Sequence, residues 1–168
     1  MRHVLIVDDD TTLLEGFQKY LPQLSENLVV HTCNSSPKAI GLVEETDFDA
    51  IVVDIKMPEM DGLKLLRKIR RIRPVTPVLV VTGYYGSYSD ALEALRAGAT
   101  DFIHKPMEWD HFVVSLDVAI QRYRAVKEKE EQKLCLERRV LELELLLQQA
   151  SQPSAGQNPI GFLPKSLH

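Results

Sequence analysis

Residues 50–62 read AIVVDIKMPEMDG. The stretch starts as an apolar, β-branched run, Ala50–Val53, meets a single acid at Asp54, and closes on the turn-forming series Met57-Pro58-Glu59-Met60-Asp61-Gly62. An apolar run without polar alternation suits a strand buried on both faces. Asp54 then stands at the carboxyl end of that strand, where parallel α/β sheets gather their ligand-binding groups.

The same kind of run recurs at His3–Val7, Leu28–Cys33, Val78–Val81 and Asp101–His104. Segments with helical spacing separate the runs. Thr11–Leu21 carries Leu13, Leu14, Phe17 and Leu21 on one side, with a stop expected at Pro22. Pro37–Glu45 follows a Ser35-Ser36 cap, and Leu63–Arg71 turns Leu65, Leu66 and Ile69 inward. Ser89–Ala97 ends at Gly98, a helix-stop glycine. Strict alternation predicts an α/β fold: a five-stranded parallel sheet, doubly wound, with helices on both faces.

The fifth helix is different. Trp109 to Ala150 contains neither Pro nor Gly, enough chain for about 60 Å of helix. Leu136, Val140, Leu143 and Leu147 recur at coiled-coil spacing, and the seam weakens backwards through Lys133 and Lys129 to Val126. Leu141, Leu145 and Leu146 widen the apolar face. So many leucines need a partner, and a homodimer through residues 109–150 is expected. Residues 151–168 contain three prolines and two glycines and read as a flexible tail or the start of a truncated output domain. The expected division is 1–120, 121–150 as an extended coiled-coil linker, and 151–168.

Composition narrows the function. The 168 residues are 45% hydrophobic and 26% charged with a net charge of −4, a globular balance without the basic excess that nucleic acid or an anionic membrane attracts. No apolar run is long enough for a membrane span or a signal peptide, and Cys33 and Cys135 have no zinc-type spacing, so a cytoplasmic protein is expected. There is no P-loop, helix-turn-helix signal or basic patch, so the chain is expected neither to hydrolyse ATP nor to bind DNA by itself. His3, His31, His104, His111 and His168 show no ligand spacing and read as structural or surface residues, and Tyr84, Tyr85 and Tyr88 as an exposed aromatic loop.

The chemistry lies at the strand ends. Asp8, Asp9 and Asp10 follow the first run and Asp54 the third, with Asp10 a candidate cap for the helix at Thr11. Carboxylates gathered in one crevice repel, and a proton or a hard cation relieves the repulsion. Oxygen ligands without Cys or His favour magnesium over zinc. Thr82 ends the fourth run, and Lys105, followed by Pro106, ends the fifth. A metal, a hydroxyl and an ammonium around a carboxylate nucleophile suit phosphoryl transfer.

These residues carry a family resemblance. VDDD at 7–10, DIKMPEMDG at 54–62, VTG at 81–83 and AGATDFIHKP at 97–106 resemble the response-regulator receivers of two-component signalling, a flavodoxin-like fold, over about residues 1–120. The wording and the long helix are similar to receivers of bacterial enhancer-binding transcriptional activators. The resemblance implies a switch, not an enzyme, with Asp54 phosphorylated by a sensor histidine kinase. It implies Mg2+ held by Asp9, Asp54 and the Lys56 backbone carbonyl, with Asp8 acting through water. It makes Thr82 and Phe102 a switch pair, gives Lys105 the phosphoryl oxygen, and routes the signal through the face of the fourth helix, fifth strand and fifth helix. Two features depart from it. Thr82 and Lys105 stand 23 positions apart, one more than in some relatives, which the 83–88 loop absorbs. Lys56 puts a cation two residues after Asp54, where it is expected to slow loss of phosphate. Competing readings are a haloacid-dehalogenase-like phosphatase using Asp8-x-Asp10, and a dimerisation scaffold that takes no phosphate. The former lacks its acidic pair on a strand after the lysine.

Overall fold

The computed structural model describes residues 1–83 and 88–151, with Tyr88 described in its backbone only. The aromatic-loop reading of Tyr84, Tyr85 and Tyr88 and the tail reading of 152–168 lie outside the described residues. Ten elements alternate: β1 Arg2–Val7, α1 Thr11–Leu24, β2 Leu28–Cys33, α2 Ser36–Glu45, β3 Ala50–Asp54, α3 Gly62–Ile72, β4 Val78–Thr82, α4 Tyr88–Arg96, β5 Asp101–His104 and α5 Trp109–Ala150. The strands form one parallel sheet in the order β2-β1-β3-β4-β5. The chain divides into two units, Met1–Lys127 and Glu128–His168.

In the first unit, strand side chains alternate between two buried layers. Leu5, Val7, Ile51, Val53, Val78 and Val80 join the cluster that contains Val43 of α2, Leu65 and Ile69 of α3 and Ala94 of α4. Val4, Ile6, Val52, Leu79 and Val81 join the cluster built with Phe17 of α1 and Phe112, Leu116 and Ile120 of α5. Covering both faces is why the central strands read as unbroken apolar runs. Strand order reverses between β1 and β3, so the carboxyl ends of these two strands flank the crevice where such sheets bind ligands.

Two local expectations need correction. The stop predicted at Pro22 is absent, and α1 runs to Leu24 with Pro22 inside it. Pro22 lacks the N–H that would meet the Gln18 carbonyl, but the turn beyond it is closed by Ser25 N–H to Leu21 O at 3.1 Å. Leu21 is fully buried, and the Ser25 hydroxyl donates to Asp117, which also pairs with Arg2 at 2.7 Å. Tertiary burial thus outweighs the local penalty. Ser35 occupies the N-cap position of α2 but makes no side-chain cap, because its hydroxyl donates to Glu59 at 3.0 Å.

Asp10 does cap α1, accepting from Thr12 N and Leu13 N. Gly98 takes φ +98° after α4, and Arg70 donates to its carbonyl at 2.7 Å. His3 and His31 meet with ring nitrogens 3.1 Å apart. Burial, then the neighbouring His3, holds the His31 pKa below its ordinary value. No described helix is long and apolar enough to cross a membrane.

In the second unit, α5 remains helical to Ala150, and every residue from 128 to 151 is exposed.

Candidate functional site

The site is built from strand ends. β1 ends at Val7 and delivers Asp8, whose N–H donates to Cys33 O at 3.2 Å. β3 delivers Asp54 as its last residue, and Ile55 N–H then donates to Val81 O at 2.9 Å. β4 ends at Thr82, whose carbonyl accepts the Lys105 N–H at 2.7 Å. Three neighbouring strands therefore release their chains at one level, and acids far apart in sequence converge.

Carboxylate oxygens of Asp8, Asp9 and Asp54 lie within 4.8 Å of one another, the cluster among the described residues that could hold a metal ion. Asp8 and Asp54 are buried, and Asp9 is exposed. Lys105 reaches across them, 2.5 Å from Asp8 Oδ2 and 3.2 Å from Asp54 Oδ1. Both oxygens of Asp8 are engaged, since Oδ1 accepts the Asp10 N–H at 2.9 Å. Asp54 Oδ1 is not so served. The ammonium is its one polar neighbour, at the longer ion-pair distance, and no backbone or hydroxyl donor reaches the buried oxygen. The fully buried Thr82 Oγ1 has no hydrogen-bond partner. Buried oxygens without partners are costly in a folded protein. A ligand bound across these adjacent strand ends would supply contacts to both.

The electrostatics follow the geometry. Burial raises the Asp54 pKa above its ordinary value, and Asp8 and Asp9 add to the rise against the lowering effect of Lys105. Burial alone would depress the Lys105 pKa, but the Asp8 hydrogen bond and the charges of Asp54 and Asp8 outweigh it and raise it. The cluster thus carries an excess of negative charge that one ammonium does not remove. An all-oxygen donor set fits a hard divalent cation such as magnesium.

Other predicted residues sit further out. The Lys56 side chain is exposed on the β3–α3 loop, beside a cleft of about 650 Å³ that Asp61, Asp90 and Glu93 also line. Phe102 pairs in register with Val80, not with Thr82, and is only partly buried against the α2–α3–α4 layer. The residue opposite Thr82 is His104, whose ring stands edge-on to Phe102 at 4.8 Å. The sequence reads His104 as a structural or surface residue, and the structure leaves it exposed on the same face of β5 as Phe102.

Gly62 was also missed as a site residue. A Cβ there would lie 2.1 Å from the Asp54 carbonyl oxygen and 2.8 Å from Ile55 Cα. Its N–H donates to Ile55 O at 2.9 Å, and Asp61 caps α3 by accepting from Leu63 N. The Asp61-Gly62 pair therefore presses the start of α3 against the backbone of the candidate nucleophile. The signal was the Asp-Gly dipeptide itself.

Comparison with known proteins agrees with this geometry. The family model for the response regulator receiver domain matches residues 4–117. Protein-glutamate methylesterase/protein-glutamine glutaminase 3 of Rhodospirillum rubrum is 36% identical over 106 residues, covering 63% of this chain and 28% of that protein. Transcriptional regulatory protein ZraR of Escherichia coli is 34% identical over 123 residues, covering 73% of this chain and 27% of that protein. This chain therefore spans little more than a quarter of either relative. A CheY-like response regulator receiver domain from Methanospirillum hungatei superposes with a TM-score of 0.70 at 29% identity, covering 74% of this chain and 98% of that one.

Proposed function

Because the chain belongs to the response regulator receiver family of two-component signalling, we propose that Asp54 is its phosphoryl acceptor and a sensor histidine kinase the donor. The observation that carries the assignment is the buried Asp54 Oδ1, held by the Lys105 ion pair alone, next to the buried Thr82 Oγ1, which has no hydrogen-bond partner. Asp8, whose two oxygens are both engaged, is poorly placed to attack.

The residues divide the work. The Asp54 carboxylate forms an O–P bond as the P–N bond to the donor histidine breaks, and the electron pair leaves with the imidazole. Lys105 keeps its charge close to the developing phosphoryl oxygens, and the Thr82 hydroxyl donates to another. Asp8, Asp9 and Asp54, with the Lys56 backbone carbonyl, would hold Mg2+, which when bound offsets the negative charge of carboxylates and phosphoryl group. The test is intact mass after incubation with phosphoramidate. One phosphoryl group is expected on the wild type with magnesium, and none after EDTA or on Asp54→Asn. Uptake by Asp54→Asn equal to wild type would remove the assignment.

Lys56 sets the signal's lifetime. Lys56 stands two residues after Asp54 on the exposed β3–α3 loop, and once Asp54 is phosphorylated its ammonium would compete with water for the phosphoryl oxygens. Lys56→Asn is expected to shorten the acyl-phosphate half-life by roughly threefold or more, on the scale of a lost surface charge contact. An unchanged half-life in a decay series would assign the lifetime elsewhere.

The output runs from Thr82 and Phe102 to the face of α4, β5 and α5, where Leu92, Leu95, Val114 and Val118 are exposed, and on to a homodimer. In the heptad frame that puts Val140 and Leu147 at a and Leu136 and Leu143 at d, Arg139 falls at g and Glu144 at e. A parallel, in-register pair brings Arg139 of one copy to Glu144 of the other, while an antiparallel pair opposes glutamates. Leu143→Glu is expected to convert a dimer into a monomer in sedimentation equilibrium. A wild-type chain that is monomeric at tens of micromolar would contradict the dimer. The relatives join such a receiver to a methylesterase in one case and a transcriptional regulator in the other. The long helix favours transcriptional control here, in the cytoplasm, with no DNA contact from this chain.

A further inference from the structure

The described part of the second unit carries two apolar stripes on one helix, not one broad face. At about 100° per residue, Leu136, Val140, Leu143 and Leu147 centre on one line, and Leu134, Leu141 and Leu145 centre on another roughly 150° away. α5 is helical throughout this segment, so the phases are set by real backbone. Leu134, Leu141 and Leu145 are 59, 58 and 52% exposed. A two-stranded coil closed on the first stripe leaves the second in water, and a row of exposed leucines rimmed by charge marks a docking surface.

The charges beside the second stripe indicate what it takes. Glu137 and Glu144 border one edge, and Glu131 and Glu142 the other. Arg138 interrupts the row between Leu134 and Leu141. Arg139, which bonds Glu142 at 2.8 Å, does so as an exposed i,i+3 pair of the kind that exchanges partners readily. A second copy laid parallel on this stripe would put Glu137 opposite its Glu142, and an antiparallel copy would also oppose acids. The first stripe, with Arg139 and Glu144 on its edges, has the complementary pair that the second lacks.

We propose that Leu134, Leu141 and Leu145 form a docking seam for an amphipathic helix of another protein, one with leucine-type anchors and lysine or arginine along both edges. The receiver's distal helix is then two-sided. One side joins the copies, and the other recruits a basic helix whose charges meet the glutamate rims. Because the leucines of the two seams lie on different faces, a leucine substitution in one leaves the apolar contacts of the other in place.

The test uses the full chain and two synthetic three-heptad peptides with leucine at a and d. One has lysine at e and g, and the other has glutamate there. Fluorescence anisotropy is expected to show binding of the lysine peptide, weakening with added salt, and no binding of the glutamate peptide. Leu141→Glu should weaken the lysine peptide at least tenfold while sedimentation mass and helix content stay as in the wild type. Leu143→Glu should retain the peptide although it loses the dimer, so failure of the dimer reading and failure of this one register in separate measurements. Glu142→Lys, which removes no apolar contact, should weaken the lysine peptide and admit the glutamate one. Absence of lysine-peptide binding, equal binding by Leu141→Glu, or a tetramer that Leu141→Glu cuts to a dimer would each overturn the proposal, the last by showing another copy on the second seam.

Discussion

Lys105→Ala is expected to destabilise the metal-free protein at neutral pH by about 3 kcal/mol, the low end for removing one partner of a buried ion pair, and to slow phosphoryl uptake roughly a hundredfold, as when one charge-stabilising donor is removed. The ammonium lies 2.5 Å from Asp8 and 3.2 Å from Asp54, and both acids are buried. Without it, two buried carboxylates face each other and Asp9 with no countercharge. Magnesium should restore part of the lost stability, because a cation among the same oxygens does the same electrostatic work. Denaturant midpoints with and without magnesium measure this. The pH dependence has a definite sign. The Lys105 pKa is raised in the fold, so its contribution is fully present below the ordinary lysine value and fades as pH rises through the folded value. The Asp54 pKa is also raised, mainly by burial. A raised carboxyl holds a proton that the unfolded chain has released, so stability falls as pH climbs from the ordinary carboxylate value through the folded one. Asp54→Asn removes that fall and is expected to be more stable than wild type at neutral pH, the reverse of Lys105→Ala.

The second large effect belongs to Gly62. An alanine methyl there would overlap the Asp54 carbonyl oxygen at 2.1 Å and press on Ile55 Cα at 2.8 Å. Both neighbours are backbone in a buried strand end, so no side chain can rotate away. Either α3 lifts from β3, losing the Gly62–Ile55 hydrogen bond, or the Asp54 peptide shifts and carries the nucleophile with it. A loss of about 4 kcal/mol or more is expected, in the range reserved for buried overlap and backbone strain. It should appear as a lower urea midpoint with an unchanged slope. Gly16→Ala is the control, since a Cβ at Gly16 meets nothing within 4 Å. There the change should be neutral or slightly stabilising, because alanine favours an exposed helix.

What could be read from residues alone follows from where the physics is local. The apolar runs marked the central strands β1, β3 and β4 because strands buried on two faces tolerate few polar residues, and Asp54 stood out as the acid that ended one. The convergence of Asp8, Asp54 and Lys105 followed from parallel strands ending at one level. Features set by tertiary contact stayed hidden. Pro22 stops a helix in isolation, but burial of Leu21 and the Ser25–Asp117–Arg2 set carries α1 past it. Ser35 reads as a cap until Glu59 arrives from another loop to take its hydroxyl. The His3–His31 pairing depends on strand register, which spacing along the chain does not show. Gly62 is an ordinary turn glycine in sequence, and only the proximity of the Asp54 carbonyl gives it a cost. In α5, Leu141 and Leu145 read as a wider face, and helical phase across the whole segment separates them into a second one.

The central claim is that one carboxylate among four nearby acids takes the phosphoryl group. Acyl phosphates are reduced by borohydride, which converts a phosphorylated aspartate to homoserine and leaves free aspartates unchanged. The protein would be loaded with phosphoramidate and magnesium, reduced, digested and mapped by tandem mass spectrometry. The predicted result is homoserine at position 54, with Asp8, Asp9 and Asp10 unmodified. Homoserine at position 8 would instead place the nucleophile in the first acidic cluster, contradict the assignment, and favour a phosphatase-like chemistry for the same fold.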